Sequence, residues 1–144
     1  MGKIEQQFQE IKSQLPFQRY RPSRFVRVNS NHVTVEFKRL SRIAALYGSV
    51  DVMYTDIESV IVGPAEGISP LAPRIGYSNP ATGARAGRFR TKGLHVLAGY
   101  DNPDDDCLHL LLRKGNPSSF DQIIMQIKNP QDVAAAIEAK RYEA

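Results

Sequence analysis

Short runs in which every second residue is apolar recur along this chain, each bounded by Gly, Pro, Asn or Asp. This pattern constrains the fold more than any other feature, because a period of two puts alternate side chains on opposite faces of a strand. Val33, Val35 and Phe37 alternate with Thr34, Glu36 and Lys38. Leu94, Val96, Ala98 and Tyr100 alternate with His95, Leu97 and Gly99, and Leu108, Leu110 and Leu112 with His109 and Leu111. Ile123, Met125 and Ile127 form a last inward row. Phe25–Val28 meets the strand at Val33 through the turn residues Asn29-Ser30-Asn31-His32, which predicts a hairpin. Ile43–Tyr47 and Val52–Val62 read as further strand material. The stretch PAEGISPLAP, Pro64–Pro73, reads as a loop. Residues 74–93 read as the most irregular segment, with a short strand around Arg74–Gly76, turns at Asn79-Pro80, Gly83 and Gly87, and extended chain again at Arg88–Arg90.

Two segments carry the helical period instead. In residues 3–15, Ile4, Phe8, Ile11 and Leu15 form one apolar stripe, and Pro16 ends it. A single stripe on so short a helix needs a surface to lie on. In residues 130–142, Asn129 stands at the N-cap, Pro130 fits the first helical position and Asp132 suits the positive end of the helix dipole. Val133 and Ile137 are spaced to face a core. The 144 residues fit one domain, 1–144: the N-terminal helix at 3–15, β structure over 24–128 and the C-terminal helix at 130–142.

Short strands followed by a capped C-terminal helix resemble the bacterial pleckstrin-homology-like (PH-like) domains. The residues that carry the resemblance are Tyr54-Thr55-Asp56-Ile57-Glu58-Ser59-Val60, Arg74-Ile75-Gly76, Gly87-Arg88-Phe89, Leu108-His109-Leu110-Leu111-Leu112 and Ile127-Lys128-Asn129-Pro130. They span about residues 24–142, and the N-terminal helix is an addition to the family's minimal pattern. The resemblance implies a mostly β fold, an antiparallel barrel or curved sheets closed by the C-terminal helix. It also implies recognition of lipid, peptide or protein, and no reaction.

Charge points the same way. The net charge is +4, and two blocks, 19–42 and 74–92, hold twelve of the 19 Lys and Arg residues but one acid, Glu36. A local positive field is expected there. Arg24, Arg27, Arg85, Arg88, Arg90 and Lys92 are the candidate residues for an anionic ligand, either a lipid headgroup or a phosphate, or for a partner protein. Nucleic acid is disfavoured, because only Tyr20 and Phe89 interleave closely with these bases and single-strand recognition needs clustered stacking aromatics. No cofactor is expected: Gly83–Arg88 lacks the Lys-Ser/Thr ending of a phosphate-binding P-loop. No metal is expected: Asp101–Asp106 lacks the twelve-residue calcium-loop pattern. One cysteine, Cys107, excludes an intrachain disulfide. The start of the chain lacks a signal peptide and no stretch is long and apolar enough to span a membrane, so a cytoplasmic location is expected.

Catalysis is not expected. Its one foothold is Cys107 two residues from His109, a spacing compatible with a thiolate–imidazole pair. A self-associating domain, a homo-oligomer, is the other alternative. If the Leu94 row pairs with the Leu108 row in one hairpin, Leu97, Leu111 and Ile124 fall on the outer face. Such a patch calls for a cover, which the stripe Ile4, Phe8, Ile11 and Leu15 would supply within one subunit or across a dimer.

Overall fold

The computed structural model describes residues 23–65, 68, 69 and 71–143. The N-terminal helix read from the sequence, with Ile4, Phe8, Ile11 and Leu15, lies outside the described residues. The first sheet is built on the expected hairpin. Strand β1 (Arg24–Val28) pairs antiparallel with β2 (His32–Phe37), which pairs with β3 (Ser49–Met53). Val33, Val35 and Phe37 are buried as the alternation predicts. The other face is polar, with Thr34 donating to Asp51 at 2.7 Å and Arg27 paired with Glu36.

Between β2 and β3 the expected strand at Ile43–Tyr47 is replaced by a helix, α1 (Arg39–Ala45). Leu, Arg and Ala favour helix, and Leu40, Ile43 and Leu46 repeat at a spacing of three, which is a helical row. The helix ends at Leu46, whose φ is 55 and whose N–H bonds to the Arg42 carbonyl at 3.0 Å. Val52–Val62 is likewise not one strand. A single 3-10 turn, Tyr54–Asp56, separates β3 from β4 (Ile57–Pro64). The Tyr54 hydroxyl fixes this break by donating to the Asn29 carbonyl at 2.7 Å.

β4 belongs to a second, six-stranded sheet with β5 (Arg74–Ser78), β6 (Arg85–Thr91), β7 (Leu94–Tyr100), β8 (Asp106–Leu112) and β9 (Gln122–Met125), in the order β4-β8-β9-β7-β6-β5. The segment 74–93, read as mostly irregular, forms the β5–β6 hairpin, whose strands include the expected extended pieces at Arg74–Gly76 and Arg88–Arg90. Its centre is the cross-strand pair Gly76 and Gly87, with φ 135 and 136. A Cβ would lie 2.2 Å from the Ala86 oxygen at the first and 2.3 Å from the Ile75 oxygen at the second, so only glycine fits either position.

The expected hairpin between the Leu94 and Leu108 rows does not form. β9 lies between them, parallel to β7 and antiparallel to β8, so the sheet is mixed. Ile123, Ile124 and Met125 are all buried, a condition met by a central strand covered on both faces. The two sheets remain separate, and no closed barrel forms among the described residues. The main core lies between them. Val33, Val35 and Phe37 meet Leu97, Leu108, Leu110, Leu112, Ile123 and Met125 there. Helix α2 (Pro130–Glu143) adds fully buried Ile137 and partly buried Val133, as the sequence predicts.

The far face of the large sheet carries a second apolar cluster. Phe89, Val96, Ala98, Tyr100, Cys107 and Ile124 lie under Ala65 and Ile68 of the connection between β4 and β5. This arrangement corrects the expected faces. Leu97 lies in the main core, Ile124 lies in the second cluster, and Leu111 is half-buried. Ala65 and Ile68 of the loop read at 64–73 thus supply a cover for this face. Ala65 N–H bonds to the Pro103 carbonyl at 2.9 Å, and the Pro73 carbonyl accepts from Arg90 N–H at 3.0 Å.

Candidate functional site

Among the described residues β1 pairs only with β2, so the first sheet has an open edge there. In an antiparallel pair, hydrogen-bonded positions alternate with positions whose backbone groups point away. Lys38 N–H bonds to the Ser23 carbonyl at 2.7 Å and Asn29 N–H to the His32 carbonyl at 2.9 Å, which places the odd-numbered residues against β2. The backbone N–H and C=O groups of Arg24, Val26 and Val28 therefore face away from the sheet. A groove of about 370 Å³ runs along this edge, lined by Ser23, Arg24, Phe25, Val26, Asp101, Gln126, Ile127, Lys128 and Val133. One wall is an open strand. The other is the β9–α2 connection and the first turns of α2.

Arg24 spans the groove. Its Nε donates to the Gln126 carbonyl at 3.0 Å, and its two terminal nitrogens reach the Asp101 carboxylate at 3.3 and 3.0 Å. The two partners differ in exposure, 12% for the arginine side chain against 77% for the aspartate. Asp101 is thus a solvated carboxylate holding a partly buried guanidinium, a place that the carboxylate of another chain can take. Phe25 on the outer face lies under Lys38, whose Nζ is 5.2 Å from the ring centre.

The other candidate bases are distributed around the domain. Arg27 is ion-paired with Glu36 on the outer face of the first sheet. Arg85 is buried and joins Arg24 in lining a smaller cleft of about 180 Å³. It donates Nη1 to the Ala84 carbonyl at 3.0 Å, while its Nε has no partner among the described residues. Arg88 donates to the Leu46 carbonyl at 3.4 Å and sits 5.2 Å from the Tyr47 ring centre. Arg90 and Lys92 are exposed at the β6–β7 turn. The fold therefore brings Arg24 and Arg85 to one cleft and sets Arg27, Arg88, Arg90 and Lys92 apart from it.

Cys107 and His109 lie two residues apart on β8, on the face covered by the β4–β5 connection. Burial, opposed by Arg24 and reinforced by Asp105 and Asp106, pushes the Cys107 thiol up to about 11. Both ring nitrogens of His109 are engaged, Nε2 with the Gly63 carbonyl at 3.0 Å and Nδ1 with the Gln122 amide at 3.2 Å. A carbonyl oxygen only accepts, so Nε2 is the donor to Gly63. A thiolate is disfavoured at this position. In the acidic connection, Asp101 holds Arg24 and Asp105 accepts from Gln126 at 3.0 Å. Among the described residues no group of three His, Cys, Asp or Glu side chains is placed to hold a metal ion, and no helix is long and apolar enough to cross a membrane.

The sequence singles out Arg24 by its charge, but not Phe25, Val26 or Lys128. Their part comes from lying beside an open edge, a property of strand order that no local pattern reports. No family model, curated protein or solved structure matches the chain.

Proposed function

We propose that the chain is a non-catalytic binding module that takes an extended, acid-bearing segment of a partner protein into the groove along β1. The observation that carries this reading is the open edge: Arg24, Val26 and Val28 turn their backbone groups away from β2, beside a groove of about 370 Å³. An added strand satisfies such groups through main-chain hydrogen bonds, and the flanking side chains select its sequence. Arg24 and Lys128 give the lining its positive charge, and a carboxylate on the incoming segment replaces Asp101 at Arg24. A recognition role agrees with the PH-like resemblance of the sequence, an argument from analogy. The protonated thiol of Cys107 and the occupied ring of His109 favour this reading over a cysteine-based enzyme.

The test is selection of linear peptides from a displayed library on the immobilised chain. Enriched peptides should alternate apolar and acidic residues. They should lose binding to Val26→Pro, which removes an outward N–H and spares the bonds to β2, as proline on an edge strand does. Binding should weaken with salt and should survive Arg90→Ala. No enrichment, or binding indifferent to Val26→Pro, refutes the edge groove. Capture by phosphatidylglycerol vesicles with no peptide enrichment would transfer the function to an anionic lipid surface.

A further inference from the structure

Nine large apolar residues stay exposed among the described residues, and five of them, Leu40, Ile43, Leu46, Ile75 and Tyr77, belong to two neighbouring elements, α1 and the edge strand β5. Their exposure ranges from 44% to 77%. They form one face. Leu40 and Tyr77 line the same cleft. At the other end of the helix, the Leu46 carbonyl accepts from Arg88, whose cross-strand partner is Ile75. The row Leu40, Ile43, Leu46 therefore runs beside the row Tyr77, Ile75. α1 buries its small residues, Ser41 and Ala45, and leaves its large ones outward. Contiguous exposed apolar faces of this kind mark interaction sites.

We infer that residues 3–15 of this same chain dock as a helix on the α1–β5 face. The place where the described chain begins supports that occupant. Lys38 N–H bonds to the Ser23 carbonyl at 2.7 Å, and the Ser23 and Ser41 hydroxyls are 2.6 Å apart. Residue 23 is thus pinned at the first turn of α1. Seven residues, 16–22, separate it from residues 3–15. Extended, they reach roughly 25 Å, against about 10 Å for the length of α1. The stripe Ile4, Phe8, Ile11, Leu15 has helical spacing and needs a surface. The row Leu40, Ile43, Leu46 is a helical ridge of the kind that packs against such a stripe. A linker this short holds the segment at an effective concentration on the order of millimolar. That favours the chain's own segment over a second copy. This inference is independent of the β1 groove, which lies on the first sheet.

Disulfide trapping in the full chain tests it. Phe8→Cys with Ile43→Cys should give, on mild oxidation, an intrachain disulfide in a species of monomer mass. Gln6→Cys with Ile43→Cys, which moves the thiol to the opposite side of the helix, should not. Cys107 is buried and its thiol is pushed up to about 11, so it does not compete. A second measurement does not depend on the cysteine variants folding: Phe8→Asp should raise the fluorescence of an apolar dye such as ANS and lower the far-UV helical signal by no more than this one segment contributes. The inference is overturned by a disulfide found only between chains, by equal trapping from Gln6, or by dye fluorescence that Phe8→Asp leaves unchanged.

Discussion

The two helices dock on the sheets in opposite senses. α2 turns Val133, Ala134 and Ile137 into the main core, so the end of the space between the sheets is closed by its apolar side chains. α1 turns Ser41 and Ala45 inward and leaves Leu40, Ile43 and Leu46 outside. The difference lies in what each helix meets. α2 meets aliphatic side chains, and large residues fill the gap between them. α1 meets the glycine pair of β5 and β6. The Ala45 carbonyl lies 3.1 Å from where a Cβ would stand at Gly76, and 3.1 Å from where one would stand at Gly87. Backbone packs on backbone there, and only small side chains fit between. The large residues of α1 are consequently left for another partner, whereas the aliphatic residues Val133 and Ile137 of α2 are used within the fold.

This contrast can be broken at several points. Replacing Ile137 by Ala should cost ~2–5 kcal/mol, the range for truncating a buried large aliphatic side chain, read from urea unfolding. An unchanged midpoint would show that α2 is not docked. Gly87→Ala should cost ~1–3 kcal/mol from backbone conformation alone, with the clash against the Ile75 oxygen adding to it. If that variant is as stable as the parent, α1 does not rest on the glycine pair.

Alkaline titration compares the two helices through one tyrosine beside each. Burial raises Tyr47 above its ordinary 10.0, with Arg88 opposing. Burial also raises Tyr54, with its bond to the Asn29 carbonyl opposing and Glu143 of α2 adding to the rise. Groups whose folded pKa is raised stabilise the protein below their unfolded pKa. That contribution is lost as pH climbs through the folded value, so stability should fall above pH 10. In an ultraviolet titration, Arg88→Met should raise Tyr47 further and Glu143→Gln should lower Tyr54. The opposite signs would contradict these placements. The smallest effect is expected at Tyr142, an exposed residue of α2: Tyr142→Ala should stay within ~0.5 kcal/mol of the parent.

The sequence made legible what local burial on one face dictates. The alternation at Val33, Val35 and Phe37, the turn at Asn29–His32, the connection at 64–73 and the helix opened by Pro130 all have local causes. α1 was hidden because Ile43–Tyr47 is short and apolar, and a run of that length fits strand or helix equally. The β5–β6 hairpin was hidden because its paired glycines remove the side chains that carry the pattern. The insertion of β9 between β7 and β8 is long-range, and it reversed the expected roles of Leu97 and Leu94. For the candidate site, charge pointed to Arg24, but neither the open edge of β1 nor its neighbour Lys128 can be read without the strand order.

The central claim, that β1 presents an open edge to a partner strand, is tested most directly by amide hydrogen exchange along this one strand. The account predicts an alternating pattern in the free chain: Phe25 and Arg27 slow, Arg24, Val26 and Val28 fast. Addition of a selected peptide should then slow the three fast amides. Uniform protection along β1 in the free chain, or fast amides that stay fast with peptide bound, would contradict it.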